Sequence, residues 1–222
     1  MHSRLRRVLI MFAMPALLAT LAAAQTQRRK LGPDTAKAIQ EAKVDPAFAT
    51  SKKDRVALLP FANASEYREA ASVISKTFVS QLSQLHPEYK FVSPTETMNF
   101  VSTSGLDDQF NVFLGDYLSS RTARPDFLSI LRDKLQIDAV FVGRISEWGE
   151  QKEKGLLPGK SPIKGTRTIY VVGAEMALYR TTDGRMIWYG KDSISAQNAS
   201  KLPEAAQAIS EVFARFFGRP AY

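Results

Sequence analysis

Residues 55–63 of this 222-residue chain read RVALLPFAN, and within them Val56–Leu59 form an unbroken apolar run that ends at Pro60. Successive side chains of a β-strand point to opposite faces of its sheet, so a strand without polar alternation is covered on both faces. The stretch therefore predicts a central strand that is buried on both sides. The sequence that follows indicates what covers it.

Helical patterns come directly after this strand. Apolar residues recur at three- to four-residue spacing up to Pro87, which predicts a helix with one buried face. Ser93 and Glu96 then form a capping box, which begins a helix because the serine oxygen accepts a hydrogen bond from a first-turn amide. Further helices are predicted from the apolar stripes that start near Phe110 and Pro125.

Strand patterns dominate the second half of the chain. Residues 139–145 (AVFVGRI) predict another buried strand, and residues 168–180 and 185–195 predict two long strands. The Asp-Gly pair at 183–184 is a strong signal for a tight hairpin between those two strands. An apolar stripe that ends at Phe216 predicts a final helix. The sequence therefore predicts an α/β fold, with a mixed β-sheet, helices packed on it, a late antiparallel hairpin and a C-terminal helix.

The N-terminal segment has the pattern of an export signal. Three arginines within the first seven residues precede an apolar stretch that ends in alanines. We therefore expect residues 1–24 to be a signal peptide that is cleaved between Ala24 and Gln25. The alternative is a retained membrane anchor, but a spanning helix needs roughly 20 apolar residues, and this stretch is slightly shorter and contains Pro15.

Residues 25–54 are polar and charged, so we predict a tether with a short helix, followed by a single domain over residues 55–219. The chain has no cysteine. This excludes a lipid on a cysteine, a disulfide and a cysteine metal site. Export without cysteine is typical of a periplasmic location.

Few residues suit catalysis. His86 is the only histidine after the expected signal peptide, so we expect neither Ser–His nor Cys–His chemistry nor a histidine zinc site. The sequence contains neither GxxxxGK[ST] nor GxGxxG after the first strand, so we expect no nucleotide cofactor. The carboxylates at 107–108, Glu147 and Glu150 leave open a hydrolase that acts on cell-wall glycan or peptide. We assign no catalytic, cofactor-binding or metal-binding residue.

The formal net charge is +8, and it falls to +5 when the three arginines of the signal peptide are removed; the remaining positive charge favours acidic partners, such as an anionic membrane or a wall polymer. No basic helix is concentrated enough to predict nucleic-acid binding. Basic residues instead cluster around residues 149–166, which we predict to be a polar loop. The loop is a candidate contact with an acidic partner or a membrane surface, and the alternative is a solvated connection. Its candidate contact residues are Lys152, Lys154, Leu156, Leu157, Lys160, Lys164 and Arg167.

Four stretches, in order, resemble the envelope domain shared by the curli secretion protein CsgG, the N-terminal domain of TolB and the lipoprotein LpoB. They are Arg55–Asn63 (RVALLPFAN), Phe91–Glu96 (FVSPTE), Leu135–Glu147 (LQIDAVFVGRISE) and Tyr179–Tyr189 (YRTTDGRMIWY). The resemblance covers about residues 55 to 217, but the cysteine that anchors CsgG and LpoB to lipid is missing. It implies an α/β domain used in envelope assembly, secretion or regulation of wall synthesis, without catalytic residues.

We therefore predict a non-enzymatic periplasmic protein that acts through protein–protein interaction, and an association with the outer membrane stays open. Its expected partners are other envelope proteins and further copies of itself, with peripheral contact to anionic membrane or wall polymer and no nucleic acid. Two alternatives stay open at this point. One is the hydrolase above, and the other is an accessory protein tethered to the membrane by its N-terminus.

Overall fold

A computed structural model describes residues 29–32, 35–62, 68–157 and 163–220. The expected signal peptide, with its cleavage point between Ala24 and Gln25, lies outside these residues, and so does Lys160.

The described residues form one mixed sheet with the strand order β1-β7-β6-β5-β3-β4, and β2 also pairs with β7. The strand β3 pairs in parallel with β4 and β5, whereas β5, β6 and β7 are antiparallel. The predicted mixed α/β fold is confirmed. The strands are β1 Arg29–Lys30, β2 Glu41–Val44, β3 Arg55–Leu58, β4 Lys90–Val92, β5 Ala139–Leu157, β6 Ile163–Arg180 and β7 Met186–Ala196.

Helices cover the sheet on two sides. The helices α2 and α6 bury Phe78 and Phe213 against one face, while α3, α4 and α5 bury Phe113 and Leu128 against the other. The central strand β3 contributes Val56 to the first core and Ala57 to the second, which explains its unbroken apolar sequence. The helices are α1 Ala47–Thr50, α2 Arg68–Leu85, α3 Pro94–Thr103, α4 Asp107–Ser120, α5 Pro125–Leu135 and α6 Leu202–Phe216.

Two local signals in the sequence have the structure they predict. The backbone N–H of Glu96 donates a hydrogen bond to the Ser93 hydroxyl oxygen at 3.2 Å, so Ser93 caps the start of α3. Gly184 lies in the turn between β6 and β7 with a φ of 69°, a left-handed conformation that favours glycine. The late antiparallel hairpin therefore forms where the Asp-Gly pair predicts it.

The segment predicted as a polar tether differs from the prediction. Within residues 25–54, β1 pairs in parallel with β7 and β2 pairs with β7 in antiparallel register. The segment also contains a 3-10 turn at Thr35–Lys37 and the short helix α1 at Ala47–Thr50. Both strands are too short to show a period in the sequence, and they form because the edge of β7 offers backbone hydrogen-bond partners. The domain therefore includes residues before Arg55.

A buried ion pair fixes β1 to β7. Asp192 on β7 is fully buried, and Arg29 Nε donates to its Oδ1 at 3.0 Å. A second guanidinium nitrogen of Arg29 donates to the Thr35 carbonyl oxygen. Burial raises the pKa of the Asp192 carboxyl, the hydrogen bond and charge of Arg29 oppose that shift, and the net pKa lies above the usual range. The carboxylate thus depends on Arg29 for its charge compensation.

We predict that Arg29→Ala lowers the free energy of unfolding by about 3 kcal/mol near pH ~7, because it leaves a buried carboxylate without its counter-ion. The folded-state pKa of Asp192 lies above its unfolded value of 3.8. The stability that this carboxyl group contributes is therefore fully present at pH values below 3.8. It is lost as the pH rises through the folded pKa. The deficit of the variant should therefore shrink on acidification, measured by urea denaturation across the acidic range.

The matched control is Lys30→Ala, because Lys30 is the exposed neighbour of Arg29 in the same strand. This variant should unfold like the parent protein at every pH. Equal stability of the two variants, or a deficit of Arg29→Ala that does not change with pH, would contradict the role of this ion pair.

Candidate interaction site

The antiparallel pair of strands β5 and β6 extends beyond the strands on either side of it. The strands β5 and β6 pair from Ala139 opposite Arg180 to Leu157 opposite Ile163. The strand β7 accompanies β6 only as far as Tyr170, and β3 accompanies β5 only as far as Phe141. Beyond these points the ladder continues as a two-stranded ribbon. We call residues 150–157 and 163–169 the hairpin arm, whose eight residues of β5 span roughly 25 Å.

The hairpin arm lies where the sequence predicted a polar loop over residues 149–166, so that prediction is wrong for the described part. Lysine, glutamate and glycine are rare in strands, which is why the composition indicated a loop. The two strands form nevertheless because they continue the buried strands β5 and β6 without a break in their pairing.

The candidate contact residues fall along the hairpin arm. Lys152 and Arg167 are exposed in its two strands. Arg167 Nε donates to Glu153 Oε2 at 2.8 Å, so a carboxylate partly neutralises this arginine. Of the other candidates, Lys160 lies outside the described residues. The backbones of the remaining four pair within the arm, at Lys154, Leu156, Leu157 and Lys164.

The register shows which positions of the arm share a face. Residues two apart in a strand share a face, and so do directly opposed residues of an antiparallel pair. Lys152 pairs with Thr168 and Lys154 with Thr166, whereas Glu153 pairs with Arg167 on the other face. Lys164 pairs with Leu156, two positions beyond Lys154. Positions 150, 152, 154, 156, 164, 166 and 168 therefore share one face of the arm, whose described charged side chains are Glu150 and Lys152.

A buried polar centre stands below the arm, where β6 is sandwiched between its neighbours. Glu175 is fully buried, and its cross-strand partner Arg144 places Nε at 2.6 Å from Oε1. Arg121 Nη2 and the Tyr189 hydroxyl both donate to Oε2, at 2.9 Å and 3.0 Å. Tyr179 donates its hydroxyl to the Arg121 carbonyl oxygen at 2.7 Å, which holds the end of α4 against the sheet.

Electrostatics keep this carboxylate ionised. Burial alone raises the pKa of Glu175, but the hydrogen bond from Arg121 and the charges of Arg144 and Arg121 together bring the pKa below its usual value. Burial also raises the pKa of the Tyr189 hydroxyl, which therefore stays protonated and donates. Because donors occupy both carboxylate oxygens, the arrangement suits a structural cross-link rather than a general base.

The carboxylates and the histidine that the sequence singled out lie in different elements. Asp107 and Asp108 begin α4, as expected of acidic residues at a helix N-terminus. Glu147 accepts a hydrogen bond from the Ser193 hydroxyl at 2.6 Å. His86 places Nε2 at 3.2 Å from the Ala214 carbonyl oxygen and so joins the end of α2 to α6. No group of three or more potential metal ligands occurs among the described side chains.

A groove of about 550 Å³ lies between α2 and the start of α3. Phe61 and Val79 contribute apolar surface to it, and Ser72 and Ser75 contribute hydroxyl groups. The Ser93 hydroxyl at its end already caps α3. None of the described helices is both long and apolar enough to span a membrane.

Comparison with known proteins gives remote likenesses only. No protein-family model and no curated protein sequence matches the chain. The PelC dodecamer from Paraburkholderia phytofirmans is 15% identical, covers 80% of this chain and 96% of its own, and has a TM-score of 0.42. Lipoprotein GNA1162 from Neisseria meningitidis is 16% identical, with coverages of 72% and 98% and a TM-score of 0.43.

A minor lipoprotein from Acinetobacter baumannii is 10% identical, with coverages of 76% and 98% and a TM-score of 0.32. Likenesses this weak assign no family. The resemblance to the CsgG, TolB and LpoB domain therefore stays a prediction from the sequence.

We predict that Glu175→Leu lowers the free energy of unfolding by about 3–5 kcal/mol, because it leaves two arginines and a tyrosine hydroxyl without their shared acceptor. A folded-state pKa below the unfolded value of 4.5 contributes stability that is present above 4.5 and lost as the pH falls through the folded pKa. Glu175→Gln should therefore remove part of the acid destabilisation of the parent protein. Urea denaturation followed by circular dichroism at several acidic pH values measures both effects.

Glu150→Gln serves as the control for the loss of one negative charge, because Glu150 is exposed at the start of the arm. An unchanged acid limb in Glu175→Gln, or equal effects of the two glutamine variants, would show that the polar centre does not stabilise the fold as described.

Proposed function

We propose that this protein is a non-enzymatic component of the bacterial cell envelope that acts in assembly, secretion or regulation of wall synthesis by binding other proteins. The observation that carries the proposal is the hairpin arm. It projects a two-stranded ribbon beyond the sheet, and within the described chain no third strand pairs with residues 150–157 or 163–169.

The backbone of such a ribbon suits recognition of a partner. A strand edge presents N–H and C=O groups that can pair with an incoming strand, while alternate side chains supply specificity. The exposed Lys152 opposes unselective edge-to-edge pairing between like ribbons, because pairing would bring like charges together. The arm therefore favours a partner with acidic surface over indiscriminate aggregation.

The buried charges support a binding role rather than a catalytic one. Glu175 and Asp192 are the fully buried carboxylates of the described chain, and arginines neutralise both. Each stabilises the sheet from which the arm extends. This rigid base lets the arm meet a partner without an ordering cost in the domain itself.

We predict that a photoreactive amino acid in place of Lys152 crosslinks in living cells to one defined envelope protein or to a second copy of the chain. The same amino acid in place of Gln207, which is exposed on α6, should give at least fivefold less product. A lower yield is expected there because Gln207 lies on a helix and not in the strands of the arm. Gel shifts and mass spectrometry of the purified adducts identify the crosslinked protein.

A second readout addresses the enzyme alternative. Purified protein incubated with cell-wall fragments should release no soluble glycan or peptide above a buffer control. Equal crosslinking at positions 152 and 207, or release of wall products, would refute the proposed function.

A further inference from the structure

The carboxyl ends of two neighbouring parallel strands form a crevice in this sheet. The strands β3 and β4 pair in parallel, and the helices that follow them lie on opposite faces of the sheet. The helix α2 contributes Phe78 to the first core, whereas α3 contributes Val101 to the second. The two connections therefore turn away from each other at the strand ends. In open α/β sheets ligands bind at such a point, because the diverging connections leave a crevice between them.

The groove between α2 and the start of α3 occupies this crevice. Pro60 and Phe61 line it shortly after β3, and residues 93–95 line it directly after β4. Ala71 and Val79 on α2 complete a wall whose surface is mostly apolar. The volume of about 550 Å³ lies within the range of roughly 300–1,000 Å³ that is typical of sites for small ligands. Its size and its place in the fold therefore indicate a binding site.

Positive charge lines one side of the groove. Arg68, Ser72 and Lys76 all line it and are exposed, and their four-residue spacing places them on one face of α2. Neither cation forms a salt bridge with a described residue, and none of the described lining residues is acidic. Glu96 at the start of α3 does not line the groove, and its Oε1 lies 3.8 Å from Arg55 Nη2. Two cations with a hydroxyl group between them are therefore available to an anionic group.

The apolar and the charged parts of the groove together select the ligand. A small anion alone would leave the surface of Phe61 and Val79 in water, and an apolar molecule alone would bring two unpaired cations close to hydrocarbon. A peptide would place backbone N–H and C=O groups against a mostly apolar wall, where unpaired polar groups are costly. From Ser72 to Ser80 the groove runs about 12 Å along α2, which gives an acyl chain room beside an anionic head group.

We propose that this groove binds a single-chain lipid with an anionic head group. The head group lies against Arg68, Ser72 and Lys76, and the acyl chain covers Phe61 and Val79. This inference goes beyond the proposed function, because it assigns a small-ligand site to elements other than those of the hairpin arm. Since β3 runs parallel to β5, the groove lies at the end of the sheet from which the arm extends.

The first test compares ligands that share one half of the expected lipid. Dodecanoate below its critical micelle concentration should bind the purified protein in a single class of sites, measured by isothermal titration calorimetry. Acetate has the head group without the chain, and dodecyl maltoside has the chain with a neutral head group. Each should bind roughly tenfold more weakly than dodecanoate, or less tightly still, because each lacks one of the two contacts.

The second test changes the groove itself. Lys76→Glu should weaken dodecanoate binding roughly tenfold, because it places a negative charge beside the head group. The matched control is Lys134→Glu, since Lys134 is exposed on α5, which covers the opposite face of the sheet. This control should bind like the parent protein. Ser75→Trp should abolish binding, because the indole fills the space of the acyl chain. Circular dichroism and thermal unfolding confirm that each variant is folded.

The outcomes separate the lipid site from the proposed function. Dodecyl maltoside that binds as tightly as dodecanoate, equal effects of Lys76→Glu and Lys134→Glu, or full binding by a folded Ser75→Trp variant would each overturn the inference. Binding of phosphatidylglycerol vesicles without binding of monomeric dodecanoate also overturns it. Crosslinking from position 152 reports on the arm alone, so its failure would remove the proposed function and leave the lipid site in place.

Discussion

A carboxylate buried in the middle of a sheet constrains everything around it. Glu175 cannot leave water without compensation, so Arg144 from β5, Arg121 from the end of α4 and Tyr189 from β7 all converge on it. Three strands and one helix are thereby locked into one register. A shift of β6 by one residue would turn the carboxylate to the opposite, apolar core, which makes the register of the whole antiparallel part specific.

The same ion cluster marks a boundary on the sheet. On one side of it, α3, α4 and α5 cover apolar residues such as Val142 and Ala177. Towards the arm, by contrast, the Ser193 hydroxyl on β7 donates a hydrogen bond to Glu147 on β5. On this face the apolar helix-covered core thus ends near the charged centre, whereas on the other face residues such as Val172 and Ile194 still pack in the core with α6.

Much of the fold could be predicted from the sequence, and the failures share a physical cause. The run at Val56–Leu59, the cap at Ser93 and the turn at Gly184 are local signals, and each has the predicted structure. The strands β1 and β2 pair with residues of β7 that are more than 140 positions away in the sequence. No local hydrophobic periodicity therefore predicts this pairing. The composition of the arm indicates a loop, whereas its conformation comes from the buried strands that it continues.

The pairing of β1 also sets a mechanical limit on the chain that precedes it. Arg29 is fixed beside Ile194, close to the end of β7 from which the arm departs. Only residues 25–28 separate this anchor from the expected cleavage point, a length of at most about 14 Å when fully extended. If the apolar segment were kept in a membrane, Arg29 would be held within this distance of the segment, with the arm end of the domain towards the lipid. Cleavage would instead free the domain to turn that end towards any neighbour.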